Sequence, residues 1–300
     1  MKQIPGRALV LLLILALFWG LNWPILKIAV REAPVFWFRT VCAWGGAIGL
    51  FIIAAVSGMS LAVPRQDWGR LCLVGLLSVA GWNAFTGYGV LHLPAGRASM
   101  LGYTMPLWLV ILSVTWLKEK LDVQNLIGLL LGMGGIALLI GEDMGALARA
   151  PVGTLCMLAA ALTWAIGVAM IKKEPFTLPA TVQTAWLLAA GGLPLALLAL
   201  GFESALPPPM SMAAWLAIGY NVLIAGVLCY WAFYKLVGMV PASVTGISSL
   251  IVPVVGVLTG VAFLGEVPTM RDWAALALIV GALGVVLLWP REAAPAVKPD

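Results

Sequence analysis

The chain alternates between long apolar stretches and short polar connections. Each apolar stretch is close to the roughly 20 residues that a membrane-spanning helix needs. The stretches lie at residues 8–26, 34–57, 69–92, 95–117, 122–141, 152–171, 179–201, 213–234, 241–264 and 273–289. They lack the period-two alternation of a transmembrane β-strand and are far longer than such a strand. The pattern therefore predicts an all-α integral membrane protein with ten transmembrane helices.

A segment near the middle of the chain returns near its end, because residues 105–140 resemble residues 252–287. Three residues recur in register: Pro106, Glu119 and Gly134 pair with Pro253, Glu266 and Gly281, and 253 − 106 = 266 − 119 = 281 − 134 = 147. A slip of two residues aligns the first spans of the two halves, where Trp19 and Lys27 match Trp164 and Lys172. Each half is therefore predicted to be one structural unit.

Five predicted helices per half is an odd number, so the second half must enter the bilayer from the opposite side. The predicted organisation is two inverted five-helix repeats, residues 1–146 and 147–290, followed by a short disordered cytoplasmic tail, residues 291–300. Inverted repeats share a pseudo-two-fold axis in the membrane plane, which lets a midplane site open to either face. This organisation predicts a transporter; a larger scaffold built by duplication is the alternative.

The composition agrees with a membrane location, since 63% of the residues are hydrophobic, 10% are charged and the mean hydropathy is +1.07. The net charge of +5 does not indicate nucleic acid, because the basic residues are dispersed between spans. With a cytoplasmic amino terminus, the outside set is Lys27, Arg31, Arg39, Arg97, Arg149 and Arg271, which leaves 17 − 6 = 11 inside. This bias predicts a multi-pass protein of the bacterial inner membrane with both termini cytoplasmic.

No residue pattern indicates a cofactor, a metal site or catalysis. The four cysteines lie singly inside apolar stretches and show no C-x-x-C spacing. All twelve acidic residues lie at predicted helix ends or in loops, and the one histidine, His92, ends the third span. An intramembrane hydrolase would need a nucleophile and a base at depth, and a channel would repeat a filter or a charged ring. We therefore expect neither an enzyme nor a channel.

Several short stretches together resemble one protein family. They are PVFWFRTVCAW, which opens the second span, and LPAGRASML and VPASVTGISS, which start the fourth and ninth, followed in both halves by Pro-x12-Glu and a glycine-rich closing helix. In this order the chain resembles, over most of its length, the EamA-type permeases of the drug/metabolite transporter superfamily. It is most similar there to bacterial exporters of aromatic and other neutral amino acids. The resemblance implies ten helices and a cavity lined by spans one, three, four, six, eight and nine.

Polar and aromatic residues of those spans are the candidate substrate-binding residues. They are Asn22, Trp82, Asn83, Tyr88, Ser99, Tyr103, Trp164, Tyr230, Ser243 and Ser248. Asn, Ser and Tyr groups can bind the ammonium and carboxylate of an amino acid, while aromatic faces accept its side chain. For Trp82 and Trp164, packing against a neighbouring helix is an equal interpretation. A serine in a membrane helix often bonds to the carbonyl one turn back.

Other residues carry two interpretations each. Pro106 and Pro253 lie inside matching spans, where each removes a backbone hydrogen bond and bends the helix, so they are candidate hinges or static kinks. Arg39 and Arg97 either attract anionic groups at the outer mouth or extend to lipid headgroups. His92 is expected to be an exposed interfacial residue rather than a proton-coupling group.

The predicted function is export of small metabolites, foremost neutral amino acids including aromatic ones, by alternating access through a neutral cavity. Because no acidic residue lies at mid-membrane depth, facilitated diffusion by a uniporter is a serious option. The alternatives are a multidrug or nucleotide-sugar-like exporter of the same fold and, from another class, an intramembrane enzyme. Glycine pairs such as Gly45-x3-Gly49, Gly128-x3-Gly132 and Gly256-x3-Gly260 predict close helix packing. The expected partners are a small-molecule substrate and lipid, with the monomer as functional unit.

Overall fold

The described part of the chain is helical throughout, without strands. The computed structural model describes residues 6–93, 98, 101–120, 122–141, 150–203, 208–252, 254–255 and 270–288. Its helical elements are α1 (Gly6–Glu32), α2 (Val35–Val56), α3 (Arg65–His92), α4 (Met105–Thr115), α5 (Val123–Gly141), α6 (Pro151–Lys173), α7 (Ala180–Phe202), α8 (Met212–Met239), α9 (Ala242–Ser248) and α10 (Met270–Leu288). In the described residues, each predicted apolar stretch therefore contains at least one of these helices.

Six of these helices are long and apolar enough to cross a membrane: α1, α2, α3, α6, α7 and α8. Shorter apolar helices lie within α4, α5 and α10. Proline fixes several helix starts, since Pro34, Pro179 and Pro241 stand directly before α2, α7 and α9 in an extended conformation. At the start of α8, the Ser211 hydroxyl accepts a hydrogen bond from the Ala214 backbone N–H at 3.2 Å.

One end of the bundle collects the end of α1 and the start of α8. The Glu32 carboxylate accepts hydrogen bonds from the backbone N–H and the hydroxyl of Ser211, both at 2.7 Å. Nearby, the Lys27 ammonium donates to the carbonyl oxygens of Val90 and, at 3.1 Å, Leu93. These carbonyls end α3, where a cation is favourable. We call this end of the bundle the Glu32 face.

The opposite end, which holds the start of α1, is called the Gly6 face. There Arg70 forms a salt bridge with Glu174 at 3.0 Å, joining the start of α3 to the end of α6. The Lys172 ammonium donates to the carbonyl oxygen of Val240 at the end of α8. This contact repeats that of Lys27 in the other half of the chain. The two halves thus use the same lysine contact at opposite faces.

Glycines let neighbouring helices approach closely, as the sequence predicts. A Cβ atom on Gly128 of α5 would lie 2.3 Å from Val286 of α10, and one on Gly132 would lie 2.3 Å from Leu250. In α2, a Cβ atom on Gly45 would lie 2.7 Å from Val222 of α8. The predicted pair at 256 and 260 lies outside the described residues. These glycines pack helices within one chain.

Two helices contain a π-helical segment at matching places. In α3 it spans Gly75–Gly81, and in α8 it spans Asn221–Cys229. The starts are 221 − 75 = 146 residues apart, close to the repeat offset. Each segment redirects the side chains that follow it, and such segments are frequent at functional sites.

The helical paths before Pro106 and Pro253 are interrupted at matching places. A turn at Tyr103 and Thr104 precedes α4, and a turn at Ser249 and Leu250 follows α9. Pro106 lies in the first turn of α4, where a backbone N–H has no partner within the helix, so the missing N–H of proline breaks no hydrogen bond there. The expectation that Pro106 bends a continuous helix is therefore wrong. Pro253 lies outside the described residues. Hinge motion at either proline stays a prediction.

Candidate functional site

A cavity lies where the two halves of the chain meet. Its volume is about 80 Å³, which is enough for several water molecules. The wall is formed by Trp19, Asn22, Trp23, Leu26, Arg39, Trp82, Asn83, Thr86, Gly102, Tyr103, Met105, Trp164, Tyr230 and Ser249. Among the residues predicted from sequence, Asn22, Trp82, Asn83, Tyr103, Trp164 and Tyr230 lie in this wall. That they bind substrate stays a prediction.

The other predicted residues lie elsewhere. Tyr88 is 37% exposed and packs its ring 5.2 Å from that of Phe36. It is five residues beyond Asn83 on an α-helix, which turns it about 140° away from the cavity. Ser248 is buried at a smaller, separate cavity between α1 and α9. Ser99 and the side chain of Ser243 lie outside the described residues.

Aromatic rings surround Trp164, which is 2% exposed. Its ring centroid lies 5.1 Å from Trp82, 5.8 Å from Trp19 and 4.9 Å from Phe233. Edge and tilted contacts at these distances are favourable for aromatic pairs. Trp164 therefore both packs against neighbouring helices and forms part of the cavity wall. The two interpretations from sequence, packing and facing the cavity, apply to the same side chain.

Equivalent residues of the two halves touch each other beside the cavity. The Asn83 side-chain amide donates to the Tyr230 hydroxyl at 3.0 Å, and 230 − 83 = 147. The rings of Trp19 and Trp164 are in contact, and 164 − 19 = 145. Residues related by a two-fold axis meet their own equivalents only beside that axis. The cavity therefore lies next to the point where the repeats face each other.

Arg39 is the charged residue of the wall, and it is only 5% exposed. Its guanidinium donates to the Thr86 hydroxyl at 2.9 Å. The burial of Arg39 makes the expectation that it extends to lipid headgroups wrong, and an arginine in the wall makes the expectation of a neutral cavity wrong. The start of α2 is held by Glu203, whose carboxylate accepts the backbone N–H groups of Phe36 and Trp37 at 2.8 and 2.7 Å. One turn further along, Arg39 enters the interior.

Three buried polar atoms of the wall have no hydrogen-bond partner among the described residues. They are Nε of Arg39, Nε1 of Trp164 and Oδ1 of Asn22. Buried polar atoms in folded proteins are nearly always bonded, and a ligand or water in the adjoining cavity is one way to bond these three atoms. The first two are donors and the third is an acceptor. This set matches a carboxylate together with a hydrogen-bond donor such as an ammonium.

Sequence reasoning did not select Arg39 or Thr86 for the site. Thr86 is one turn beyond Trp82, to whose carbonyl its hydroxyl donates at 2.7 Å. The sequence does contain an indication for Arg39, because an arginine one turn inside an apolar stretch is costly unless it has a role. Another wall contact, Trp23 Nε1 to the Tyr103 hydroxyl at 3.4 Å, joins two residues from opposite ends of the first half.

The cavity belongs to the Glu32 side of the bundle. Its wall residues from α1 and α2 lie in the halves of those helices nearer that face. Toward the Gly6 face, Phe233 and Tyr234 of α8 pack on Trp164, and the Tyr234 hydroxyl hydrogen-bonds Ser78 at 2.9 Å. In the described part of the chain, the larger cavity thus lies on the Glu32 side of the axis, and aromatic rings pack on the Gly6 side beside the smaller cavity at Ser248.

Metal ligands do not cluster in the described part of the chain, where three or more His, Cys, Asp or Glu residues nowhere come together. His92 is exposed at the end of α3, in the position that the sequence predicts.

A model of the EamA-like transporter family matches residues 6–141 and again residues 151–288. The uncharacterized transporter YvbV of Bacillus subtilis is 28% identical over 295 residues, covering 95% of this chain and 93% of that protein. The uncharacterized inner membrane transporter YedA of Escherichia coli is 26% identical, covering 95% and 92%. A "Probable amino-acid metabolite efflux pump" of Salmonella typhimurium is 27% identical, covering 91% and 92%. One crystal structure shares the fold with a TM-score of 0.77 at 22% identity, covering 95% and 99%.

Proposed function

Since the chain belongs to the EamA-like transporter family, which matches it twice, we propose that it exports neutral amino acids, including aromatic ones, by alternating access. The observation that carries the substrate class is the cavity wall. It combines the aromatic faces of Trp19, Trp82 and Trp164 with unpartnered donors and an unpartnered acceptor. A relative described as an amino-acid metabolite efflux pump supports the same class.

We also propose ten transmembrane helices arranged as two inverted repeats, residues 1–146 and 147–290. The contact of Asn83 with its own equivalent, Tyr230, supports a two-fold relation between the halves. The lysine contacts at opposite faces support inversion. In this proposal both termini are cytoplasmic, the Glu32 face is periplasmic, and residues 291–300 form a cytoplasmic tail. The inner membrane location follows the relative YedA.

Alternating access fits the asymmetry of the bundle. Substrate would occupy the cavity on the Glu32 side while the rings of Trp164, Phe233 and Tyr234 close the Gly6 side. Exchange of roles between the repeats would then open the Gly6 side. The described wall residues include no Asp, Glu or His, and the proposal takes the protein as a uniporter. It acts as a monomer and without chemical conversion of its substrate.

Transport into liposomes tests this proposal. The purified protein is reconstituted, and uptake of labelled tryptophan, phenylalanine and serine is measured with and without a pH gradient. We expect saturable uptake of tryptophan and phenylalanine above that of protein-free liposomes, competition by other neutral amino acids, and no effect of the gradient. Absence of uptake in intact vesicles with the protein in either orientation would contradict the amino-acid proposal. Faster uptake with the pH gradient would contradict the uniport mechanism and leave the amino-acid proposal intact.

A further inference from the structure

We propose that Arg39 binds the carboxylate of the substrate, and that the cavity selects its cargo by this carboxylate without requiring an amino group. This assignment rests on the proposed function and narrows it. The substrate class becomes apolar or aromatic monocarboxylates, of which a neutral amino acid is one member. A deaminated analogue is then also a substrate, whereas a decarboxylated analogue is not.

The first support is the energetic position of Arg39. A guanidinium that is 5% exposed has lost most of its hydration, and this loss is repaid by an opposite charge and by hydrogen bonds. Among the described residues, Arg39 has neither a salt bridge nor a carboxylate partner. Its guanidinium makes one hydrogen bond, to the neutral hydroxyl of Thr86, and lies 5.4 Å from the ring centroid of Phe38. A cation in this condition is completed by an anionic ligand.

The second support is the arrangement of free donors. Arg39 Nε and Trp164 Nε1 are both buried, both lack a partner in the described part of the chain, and both residues line the same cavity. A carboxylate accepts several hydrogen bonds and pairs with guanidinium through two parallel bonds. The two donors come from different halves of the chain, so a bound carboxylate would join the repeats beside their axis.

The amino group of a zwitterion has no matching charge in the wall. Among the described residues, the wall contains one cation, Arg39, and no acidic residue. An ammonium would meet the neutral Oδ1 atom of Asn22, which provides one hydrogen bond and no net charge. A carboxylate without an ammonium leaves the loaded cavity neutral, whereas a zwitterion leaves it with one positive charge. The amino group is therefore accepted but not required.

A purely structural role for Arg39 makes a different prediction. If Arg39 only ties α2 to α3 through Thr86, its loss lowers stability and weakens all ligands alike. If it binds the carboxylate, its loss changes the ranking of ligands. Ranking is thus the decisive quantity, because it is independent of how much folded protein each preparation contains.

The experiment measures displacement of labelled tryptophan from the full-length protein by tryptophan, indole-3-propionate and tryptamine. We expect indole-3-propionate to compete at least as well as tryptophan. Tryptamine should compete roughly 30-fold more weakly or worse, the scale of losing a partner from a buried charge pair. In Arg39→Met the difference between indole-3-propionate and tryptamine should fall below about threefold, and Arg39→Lys should retain part of it. Tyr88→Phe, at an exposed residue of the same helix outside the described cavity wall, should keep the wild-type ranking.

Two results would overturn the assignment: equal competition by tryptamine and indole-3-propionate in the wild type, or an unchanged ranking in Arg39→Met. The comparison of tryptamine with indole-3-propionate in the wild type tests selection by the carboxylate even if Arg39→Met does not fold. If labelled tryptophan is not bound, labelled indole-3-propionate uptake is measured instead. Uptake that other monocarboxylates inhibit and tryptamine does not, with this selectivity reduced in Arg39→Lys, would sustain the carboxylate assignment without the amino-acid function. No uptake in the wild type would reject both.

Discussion

Asn83 and Tyr230 occupy equivalent positions in the two halves of the chain and are hydrogen-bonded to each other. Asn83 also donates to the carbonyl oxygen of Val79 at 2.8 Å, which fixes the direction of its amide. Both side chains are buried in the cavity wall. Removing one partner therefore leaves a polar atom with only the substrate or water as replacement.

We expect Tyr230→Phe and Asn83→Leu each to lower tryptophan uptake several-fold, because each breaks the bond between the repeats. The double variant should lose less than the sum of the two effects, with a coupling of about 0.5–1.5 kcal/mol, the usual net value of one hydrogen bond. Tyr88→Phe is the matched control, since Tyr88 is exposed and outside the cavity wall. Additive losses, or an equal loss in Tyr88→Phe, would contradict this assignment.

Residue types at mid-span depth made part of the wall predictable from sequence. Asn83 and Trp82 were candidates because amides and indoles at that depth need partners, and both lie in the wall. Tyr88 was placed wrongly because depth alone does not give the direction of a side chain on its helix. Arg39 was undervalued because its distance from the end of the apolar stretch suggested an exit to headgroups. The burial of Arg39 depends on contacts between distant segments, such as the capping of α2 by Glu203 and the hydrogen bond from Arg39 to Thr86.

At the scale of elements, close helix packing depends on glycines that face a neighbouring backbone. A Cβ atom on Gly191 of α7 would lie 2.6 Å from the Gly75 carbonyl oxygen of α3 and 2.4 Å from Cβ of Val79. Neither atom can turn away, because one belongs to the backbone and the other is fixed directly to it. The contact between α3 and α7 therefore has no room for any side chain at this position.

Gly191→Ala should destabilise the protein by about 1–3 kcal/mol, the usual cost of overpacking, and lower its thermal transition in detergent. Gly201→Ala is the control in the same helix, because a Cβ atom there meets nothing within 4 Å. That control should be neutral or slightly stabilising, since alanine favours helix over glycine. Equal thermal transitions for the two variants would show that α3 and α7 do not pack as closely as described.

Hydropathy predicts where the helices lie, but not their π-helical segments or the interruption before Pro106. An apolar run of sufficient length predicts a spanning helix whatever its internal hydrogen bonding, so α1 or α7 was predictable. The π-helical segments Gly75–Gly81 and Asn221–Cys229 add little to an apolar run and leave no trace in its pattern. The only indication in the sequence of the helix interruption at Tyr103 and Thr104 is Pro106, which follows it. Its position was set by packing rather than by composition.

At the scale of the whole molecule, the two halves are related in sequence but differ in packing. Trp23 lines the cavity, whereas its equivalent Val168 is fully buried in α6, and 168 − 23 = 145. At these equivalent positions, the first half thus borders the cavity and the second half is closely packed. In alternating access, these two environments exchange.

This difference can be measured by cysteine labelling in intact cells, in a background lacking the four native cysteines. Trp23→Cys should react with a membrane-impermeant maleimide at least tenfold faster than Val168→Cys, because only the first position borders the cavity. Reaction of Val168→Cys should increase in inverted vesicles if the repeats exchange roles. Labelling of Trp23→Cys only in inverted vesicles would reverse the proposed orientation, and equal labelling of both positions from both sides would contradict alternating access.

Arg39 has no charged counterpart in the second repeat. Pro34 and Pro179 start α2 and α7, and because 179 − 34 = 184 − 39 = 145, the equivalent of Arg39 is Thr184. Two identical halves would give the two access states equal free energy and equal affinity at both faces. A positive charge in one half lifts this degeneracy, so we expect cargo to be held more tightly from one face than from the other. A uniporter built in this way cannot move its cargo against a gradient. It can nevertheless have different half-saturation concentrations on its two sides. Its maximal rates in the two directions then differ by the same factor, so the two fluxes differ near saturation and are equal at low cargo concentrations.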